Sequence, residues 1–421
     1  MHTPDTLLRQ MFQAAVAAAD PMRTVPEALP PRPKGRVVVI GAGKASARMA
    51  EAVESVWGPC EGLVITRYGY GRPCQGIEIA EAAHPVPDAA GVAATTRLLA
   101  LLDTLEEGDF VLALISGGGS ALLTAPAGGI TLEELQQVNS GLLASGAAID
   151  QMNVVRKHLS RATGGQLAAA AYPARMLSLM ISDIPGDDPA MIASGPTVGD
   201  ASTPADAQAI LTRLGLELPV SVTHVLSQPT GVLPPDHLRL SRVENRIVAA
   251  PSQSLTAAAD LAAEAGIIVE HLGDALEGEA RELAAEQSAL ALQTQARMRP
   301  GDPPRVLLSG GECTVTGRGG GVGGPNAEFA LAAAIALHGA TGISLIACDT
   351  DGVDGAAEVA GAVVLPDTLA RAAAAGLDPA DSLRRNDSHS FFEAIDRQVV
   401  TGPTLTNVND FRAFLLTPAP E

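Results

Sequence analysis

Residues 36–50 read RVVVIGAGKASARMA. A short run of strand-forming residues meets a glycine turn, and a helical pattern follows. This is how the first β–α unit of an open α/β sheet begins, and the turn decides what that sheet is for. A dinucleotide fingerprint, G-x-G-x-x-G/A, also needs an acidic residue about 20 positions on, to hold a ribose. Here Ser46 stands at the third glycine position, and the next strand, GLVIT, runs into Thr66 and Arg67 with no carboxylate. A Walker A loop fails too, because Ala45 follows the lysine. What remains is a helix N-terminus with Lys44 on its first turn. A cation there opposes the helix dipole, and an anionic partner reverses that cost. The turn is therefore expected to hold an anion through backbone N–H groups and Lys44.

The same grammar continues along the 421 residues. Apolar strands alternate with Ala- and Leu-rich helical patterns, which predicts parallel sheets covered on both faces. A Pro-rich, weakly periodic stretch near residues 212–245 reads in part as a linker. Strand–helix alternation then restarts. Two α/β domains are expected, residues 1–240 and 241–421, each a mostly parallel sheet flanked by helices, the first Rossmann-like.

Composition narrows the function. Net charge is −19, and no basic cluster stands ready to neutralise phosphates, so nucleic acid is not an expected partner. Aromatic residues are only 3%, so the cores must be aliphatic. No run of about 18 uncharged apolar residues suggests a membrane span, and the N-terminus lacks signal-peptide character, so a cytoplasmic protein is expected. The four cysteines are scattered without a CxxC pair and read as incidental thiols.

Ligands of open α/β sheets bind beyond the carboxyl ends of the strands. Several polar turns stand there. Ser116, Gly117, Gly118, Gly119 and Ser120 follow FVLALI, and Asp183 ends the strand ARMLSLMIS. A carboxylate at a strand exit can bind Mg²⁺ or take a proton from a hydroxyl. Asp187 and Asp188, after a Pro-Gly turn, read as turn and cap residues. In the second half, Glu312 follows VLLSGG, and a glycine loop at residues 317–324 runs into a helix at Asn326. Such a loop is expected to hold a phosphate or nucleotide. Asp349, Asp351 and Asp354 follow ISLIAC, but their spacing excludes an EF-hand. His158 and His389 read as cap or core residues, and no Ser–His–Asp order or GxSxG elbow can be assembled.

These turns, in this order, resemble the class II glycerate kinases, which join an N-terminal glycerate-kinase domain to a C-terminal MOFRL domain. The matching segments are GAGKAS, HPVPD, ISGGGSALL, VRKHLS, SDIPGDDP, SGPT, LSGGECTVT, GGPNAEFAL, DTDGVDG and TGPTLTNVND, spanning residues 40–410. The resemblance implies ATP- and Mg²⁺-dependent phosphorylation of D-glycerate, usually giving 2-phosphoglycerate, in a cleft between the domains. It implies Lys44 and Asp183 as the central residues, with Asp183 a base or a metal ligand. Ser116, Gly117, Gly118, Gly119, Ser120 and Arg156 would take the substrate, and Glu312, Gly323, Gly324, Asn326 and Asp351 the nucleotide. Members of the family have often been labelled hydroxypyruvate reductases, so an NAD(P)H-dependent reductase is the competing expectation. Thr163 stands where relatives carry a lysine, which shifts anion binding toward Arg156 or Lys157. The partners expected are small molecules, with a homodimer left open.

Overall fold

A computed structural model describes residues 3–317, 319–355 and 357–419. The chain divides into two compact units: residues 21–183 with 187–248, and residues 1–20 with 184–186 and 249–421.

The first unit is built on six strands. These are β1 (Val37–Ala42), β2 (Glu61–Arg67), β3 (Ile77–Ala82), β4 (Phe110–Ile115), β5 (Arg175–Ile181) and β6 (Val243–Ala249), in spatial order β3-β2-β1-β4-β5-β6. That is the order of doubly wound dinucleotide folds, with the switch point between β1 and β4. Neighbours from β3 to β5 pair in parallel. Every residue of β1 is buried, as a strand covered on both faces requires. Register aligns the carboxyl ends of three strands: Ala42 pairs with Ile115, and Ile115 with Met180.

Two expectations about this half need correction. The Pro-rich stretch is not a free linker. It carries the helix Val220–Leu226, whose Val222, Val225 and Leu226 share a core with Leu142, Val155 and Leu211. Proline here starts a helix, with Pro219 at its N-cap. The division also falls at residue 248 rather than 240, because β6 adds to the first sheet beside β5.

The second unit contains β7 (Ile268–Gly273), a two-stranded ladder of β8 (Gly278–Glu279) with β10 (Cys313–Thr314), and the strands β9 (Arg305–Gly311), β11 (Ile343–Asp349), β12 (Gly361–Val364), β13 (Gln398–Val399) and β14 (Asp410–Leu416). Its large sheet runs β13-β12-β11-β14-β9-β7. The sheet is layered with helices as expected, but its strand directions differ from the parallel reading. The pairings from β13 through to β9 are antiparallel, and only β7–β9 is parallel. Continuous apolar strands report burial of both faces, not direction.

Alternation sorts β14 between two cores. Phe411, Ala413 and Leu415 join the helices Pro4–Ala18 and Pro251–Glu264, while Phe414 and Leu416 join Ala280–Ala296 and Pro325–Leu337. The N-terminal helix thus belongs to the second unit, against the expectation of residues 1–240 as one domain. Its stripe of Leu7, Leu8, Met11, Phe12 and Ala15 is buried there, and burial of each large side chain is worth about 1.5–3 kcal/mol.

Candidate functional site: two polar strand edges

At the carboxyl edge of the first sheet, the turns after β1 and β4 are clasped together. Gly43 donates its N–H to Ile65 O (3.1 Å), Lys44 to Gly117 O (2.9 Å), Ala45 to the Ser116 hydroxyl (3.0 Å) and Ser46 to Gly43 O (3.2 Å). A Cβ on Gly43 would lie 2.1 Å from Ser116 Oγ, so only glycine permits this approach. Four amides of the turn, those of Gly43, Lys44, Ala45 and Ser46, are therefore bonded within the protein. The turn before the helix is not an open amide nest, and Lys44 is the cationic side chain at this point. Ser116, fully buried, is the clasp itself.

Lys44 lies two residues beyond Ala42, Gly117 two beyond Ile115, and Asp183 three beyond Met180. Since β4 lies between β1 and β5, about 10 Å separates the outer two strands. Lys44 and Asp183 are both half-buried at this edge, and both are engaged by neighbouring groups. The structure thus brings Lys44, the Gly117–Ser120 turn and Asp183 to one rim.

His84 joins them, a residue that the sequence does not single out. It follows β3 by two residues. A Cβ on Gly118 would meet His84 Nε2 at 2.9 Å and Lys44 Cγ at 3.3 Å, so imidazole and lysine stem both crowd this glycine, whose φ is +78°. The HPVPD segment also starts the next helix, because Asp88 caps Ala89–Leu102 by accepting from Gly91 N (3.0 Å).

Behind the turn, Ser120 Oγ lies 2.7 Å from Ser194 Oγ, and Ser194 donates to Asn153 Oδ1 (3.1 Å). Ala193 and Ser194 hold φ of 50° and 60°, a left-handed conformation that costs non-glycine residues energy and recurs at functional sites. Arg156 lies one helical turn from Asn153 and donates to Asn139 Oδ1 (3.1 Å); burial lowers its pKa from the ordinary value. Lys157 is buried and paired with Asp200. Burial works against the charged Asp200 carboxyl, but hydrogen bonds from Lys157 and Ser202 hold its pKa below the usual range. Lys157 is thus committed to an ion pair, whereas Arg156 keeps a neutral partner, and the Thr163 hydroxyl is buried without a partner among the described residues. Asp188 accepts from Ala190 N (2.9 Å), a turn contact as expected. His158 is buried between Thr230 (2.5 Å) and Ser202 (3.1 Å).

The second sheet has a polar edge of another kind. Asp410 pairs across the ladder with Gly311 and Asp349. Its carboxylate accepts from Cys313 N (3.0 Å), Asn326 Nδ2 (2.6 Å) and Arg412 (3.0 Å). Burial raises the Asp410 pKa against the opposing pull of Arg412. Arg412, also buried, lies over the Phe329 ring at 5.4 Å.

Asp354 fills the N-terminus of the helix Pro325–Leu337, accepting from Asn326 N (2.9 Å) and Ala327 N (2.8 Å). His389 Nε2 reaches its carboxylate at 3.2 Å. The helix end expected to cradle a phosphate thus already holds a carboxylate, and Gly324 and Asn326 are buried against it. The glycine loop is strapped down rather than free. Gly319 donates to Asn386 Oδ1 (3.0 Å), Gly321 to Arg385 O (3.0 Å) and Val322 to Asp387 Oδ1 (3.1 Å), while Gly323 lies close against Asn386. Asp351 is buried and accepts from Val353 N (2.8 Å), whereas Glu312 is exposed beside β9. Arg318 lies outside the described residues.

The thiols are not functional candidates. The cysteines are unbridged, and burial pushes Cys74 and Cys313 up to about 12 and Cys348 well above its ordinary value, which keeps them protonated.

Residues 7–227 match a domain of unknown function, DUF4147, and residues 305–410 match the MOFRL family. A D-glycerate 2-kinase of Thermotoga maritima is 40% identical over 97% of this chain and 98% of its own length. The chain belongs to the glycerate kinase family that joins these two domains. The crystal structure of a glycerate kinase from Thermotoga maritima superposes with a TM-score of 0.86, at 40% identity, covering 98% of this chain and 99% of that one. A protein of Agrobacterium vitis named "Putative hydroxypyruvate reductase" is 52% identical over 97% of this chain and 94% of its own. One glycerate kinase fold therefore carries two names.

Proposed function

We propose that the protein transfers the γ-phosphoryl group of ATP to D-glycerate, at the 2-hydroxyl, giving 2-phosphoglycerate and ADP. The observation that carries this reading over a reductase is the spent turn after β1. A dinucleotide's pyrophosphate needs that turn's free amides. Here they are bonded internally, and β2 ends in Thr66 and Arg67, with the Thr66 hydroxyl donating to Gly43 O (3.1 Å), where a ribose-binding acid would stand.

Phosphoryl transfer needs positioned charge more than covalent chemistry from the protein. Lys44 neutralises charge that develops on the transferred group. Asp183 orients the acceptor hydroxyl and takes its proton. Arg156 and the turn at Gly117, Gly118, Gly119 and Ser120 shape the acceptor pocket. Ser116 serves by holding that turn against the first. Glu312, Gly323 and Asp351 are assigned to the nucleotide, with Gly324 and Asn326 acting through the order they impose on their loop.

Magnesium, when bound, would supply positive charge that offsets the phosphates. Among the described residues no three His, Cys, Asp or Glu side chains converge as a metal cage. A half-buried carboxylate at a strand exit is a donor that Mg²⁺ accepts, so Asp183 would hold the ion as the alternative to acting as base. A homodimer and a cytoplasmic setting agree with the reading. No helix among the described residues is long and apolar enough to cross a membrane.

The test is a pair of assays on one preparation. ADP formation is measured with and without D-glycerate and with and without Mg²⁺, with the product resolved by ³¹P NMR. NADH and NADPH oxidation are followed with hydroxypyruvate. ADP release that needs both glycerate and the cation supports the kinase; cofactor oxidation without it establishes the reductase.

A further inference from the structure

The glycerate reading gives Arg156 and the glycine turn to the acceptor without saying which donor meets its carboxylate on the outer face of that turn. The turn's hydroxyls cannot. Ser116 accepts the Ala45 N–H (3.0 Å) and lies 3.3 Å from Ser46 Oγ, whose own proton goes to Leu114 O (2.9 Å). Ser116 is thus fully buried with its hydrogen bonds directed inward. Ser194 gives its proton to Asn153 Oδ1, so its oxygen accepts from Ser120 at 2.7 Å. The single proton of Ser120 is spent there, which leaves that hydroxyl an acceptor that a carboxylate does not match. The turn's amides are partly spent as well, with Gly119 N bonded to Ser116 O (3.2 Å).

Two donor-bearing side chains crowd the outer face of the turn at Gly118, namely Lys44 and His84. Lys44 is assigned to the transferred phosphoryl group. The Nε2–Cδ2 edge of the imidazole stands over Gly118, in space that exists because residue 118 has no side chain.

We propose that His84 is a substrate-binding residue that receives the carboxylate of the acceptor, so that the site selects 2-hydroxy acids over uncharged polyols and amides. The assignment rests on the glycerate reading. It also gives Ser120 a consistent part, because an acceptor-only hydroxyl suits a substrate hydroxyl beside that carboxylate.

The experiment is calorimetric binding, without turnover, of D-glycerate, its uncharged amide and a non-hydrolysable ATP analogue. The proteins are the wild type, His84→Ala and His84→Gln, each with its melting temperature. A hydrogen bond to a charged group makes a weakening of about tenfold or more the expected result for glycerate in His84→Ala. ATP-analogue affinity and melting temperature should stay near wild type. Preference for glycerate over its amide should collapse, and His84→Gln, which keeps an N–H donor, should recover part of it. If His84→Ala does not fold, His84→Gln decides on the same preference. Wild-type glycerate affinity in both variants overturns the role of His84. So does an equal loss for glycerate, amide and nucleotide, which marks a structural residue. A wild type that binds the nucleotide but not glycerate overturns the substrate reading instead, and the carboxylate assignment with it.

Discussion

The two polar strand edges look alike as sequence and differ as chemistry. Each follows buried strands with glycines and acids. At the first, Lys44, His84 and Asp183 are half-buried on the rim of a parallel sheet. At the second, Asp410, Arg412, Asn326, Asp354 and His389 are almost fully buried and largely turned on one another. Charge that is only half desolvated can still exchange its partners for a ligand. Charge that is buried and paired is expensive to disturb, and holds elements in place. On the proposed reading the first edge carries the transfer and the buried cluster of the second holds its elements in place, and mutations should separate the two.

The largest effect is expected at the holding edge. Asp410→Ala leaves Arg412 buried without its carboxylate, and Asn326 and Cys313 N lose an acceptor. Loss of about 3–5 kcal/mol in denaturant unfolding is the expected outcome. A melting curve like that of the wild type would show that this edge does not carry stability.

The acting edge should show the reverse. Lys44→Ala and Asp183→Asn are each expected to lower kcat by about 10²-fold or more, with melting temperature nearly unchanged and the KM for glycerate rising far less. Near-normal turnover in both would move the chemistry to Glu312 and Asp351.

Gly118→Ala tests the crowding of His84 and Lys44 on the glycine turn. A Cβ at φ +78° is strained by about 1 kcal/mol and presses on His84 Nε2. Weaker glycerate binding, with nucleotide binding spared, is the expected calorimetric result.

The smallest effect depends on pH. Burial lowers the His389 pKa, but the Asp354 hydrogen bond and charge outweigh it, so the folded value lies above the ordinary 6.5. A raised histidine pKa contributes stability that is full below the unfolded value and lost as pH rises through the folded one. His389→Gln should therefore cost about 1 kcal/mol more below pH 6.5 than well above the folded value. Chemical denaturation of both proteins across that range checks it. A cost independent of pH would mean that His389 is neutral in its pocket.

The sequence disclosed the acting edge more fully than the holding one. Strand, glycine turn and helix start are local signals, so β1, β4, β5, Lys44 and Asp183 could be placed from neighbouring residues alone. His84 escaped because its significance lies in Gly118, which reaches it only through the order of strands in the sheet. The glycine loop after residue 317 read as a phosphate cradle because nothing nearby in the chain announces Asp354, Asn386 or Asp387, which occupy or fasten it. Strand direction escaped for a related reason: apolar residues record that β14 is covered on both faces, and Phe411 and Phe414 would look the same in either direction.

The helix Pro4–Ala18 has a consequence for how such a chain is made. It leaves the ribosome early, yet its partners in the core, Phe411, Ala413 and Leu415, leave late. Until those residues emerge, Leu7, Leu8, Met11 and Phe12 lack much of the native surface that covers them. The nascent chain must carry an exposed apolar stripe through most of its translation, a condition that invites chaperone attendance. A fragment starting at residue 249 would lack the piece that closes its own core.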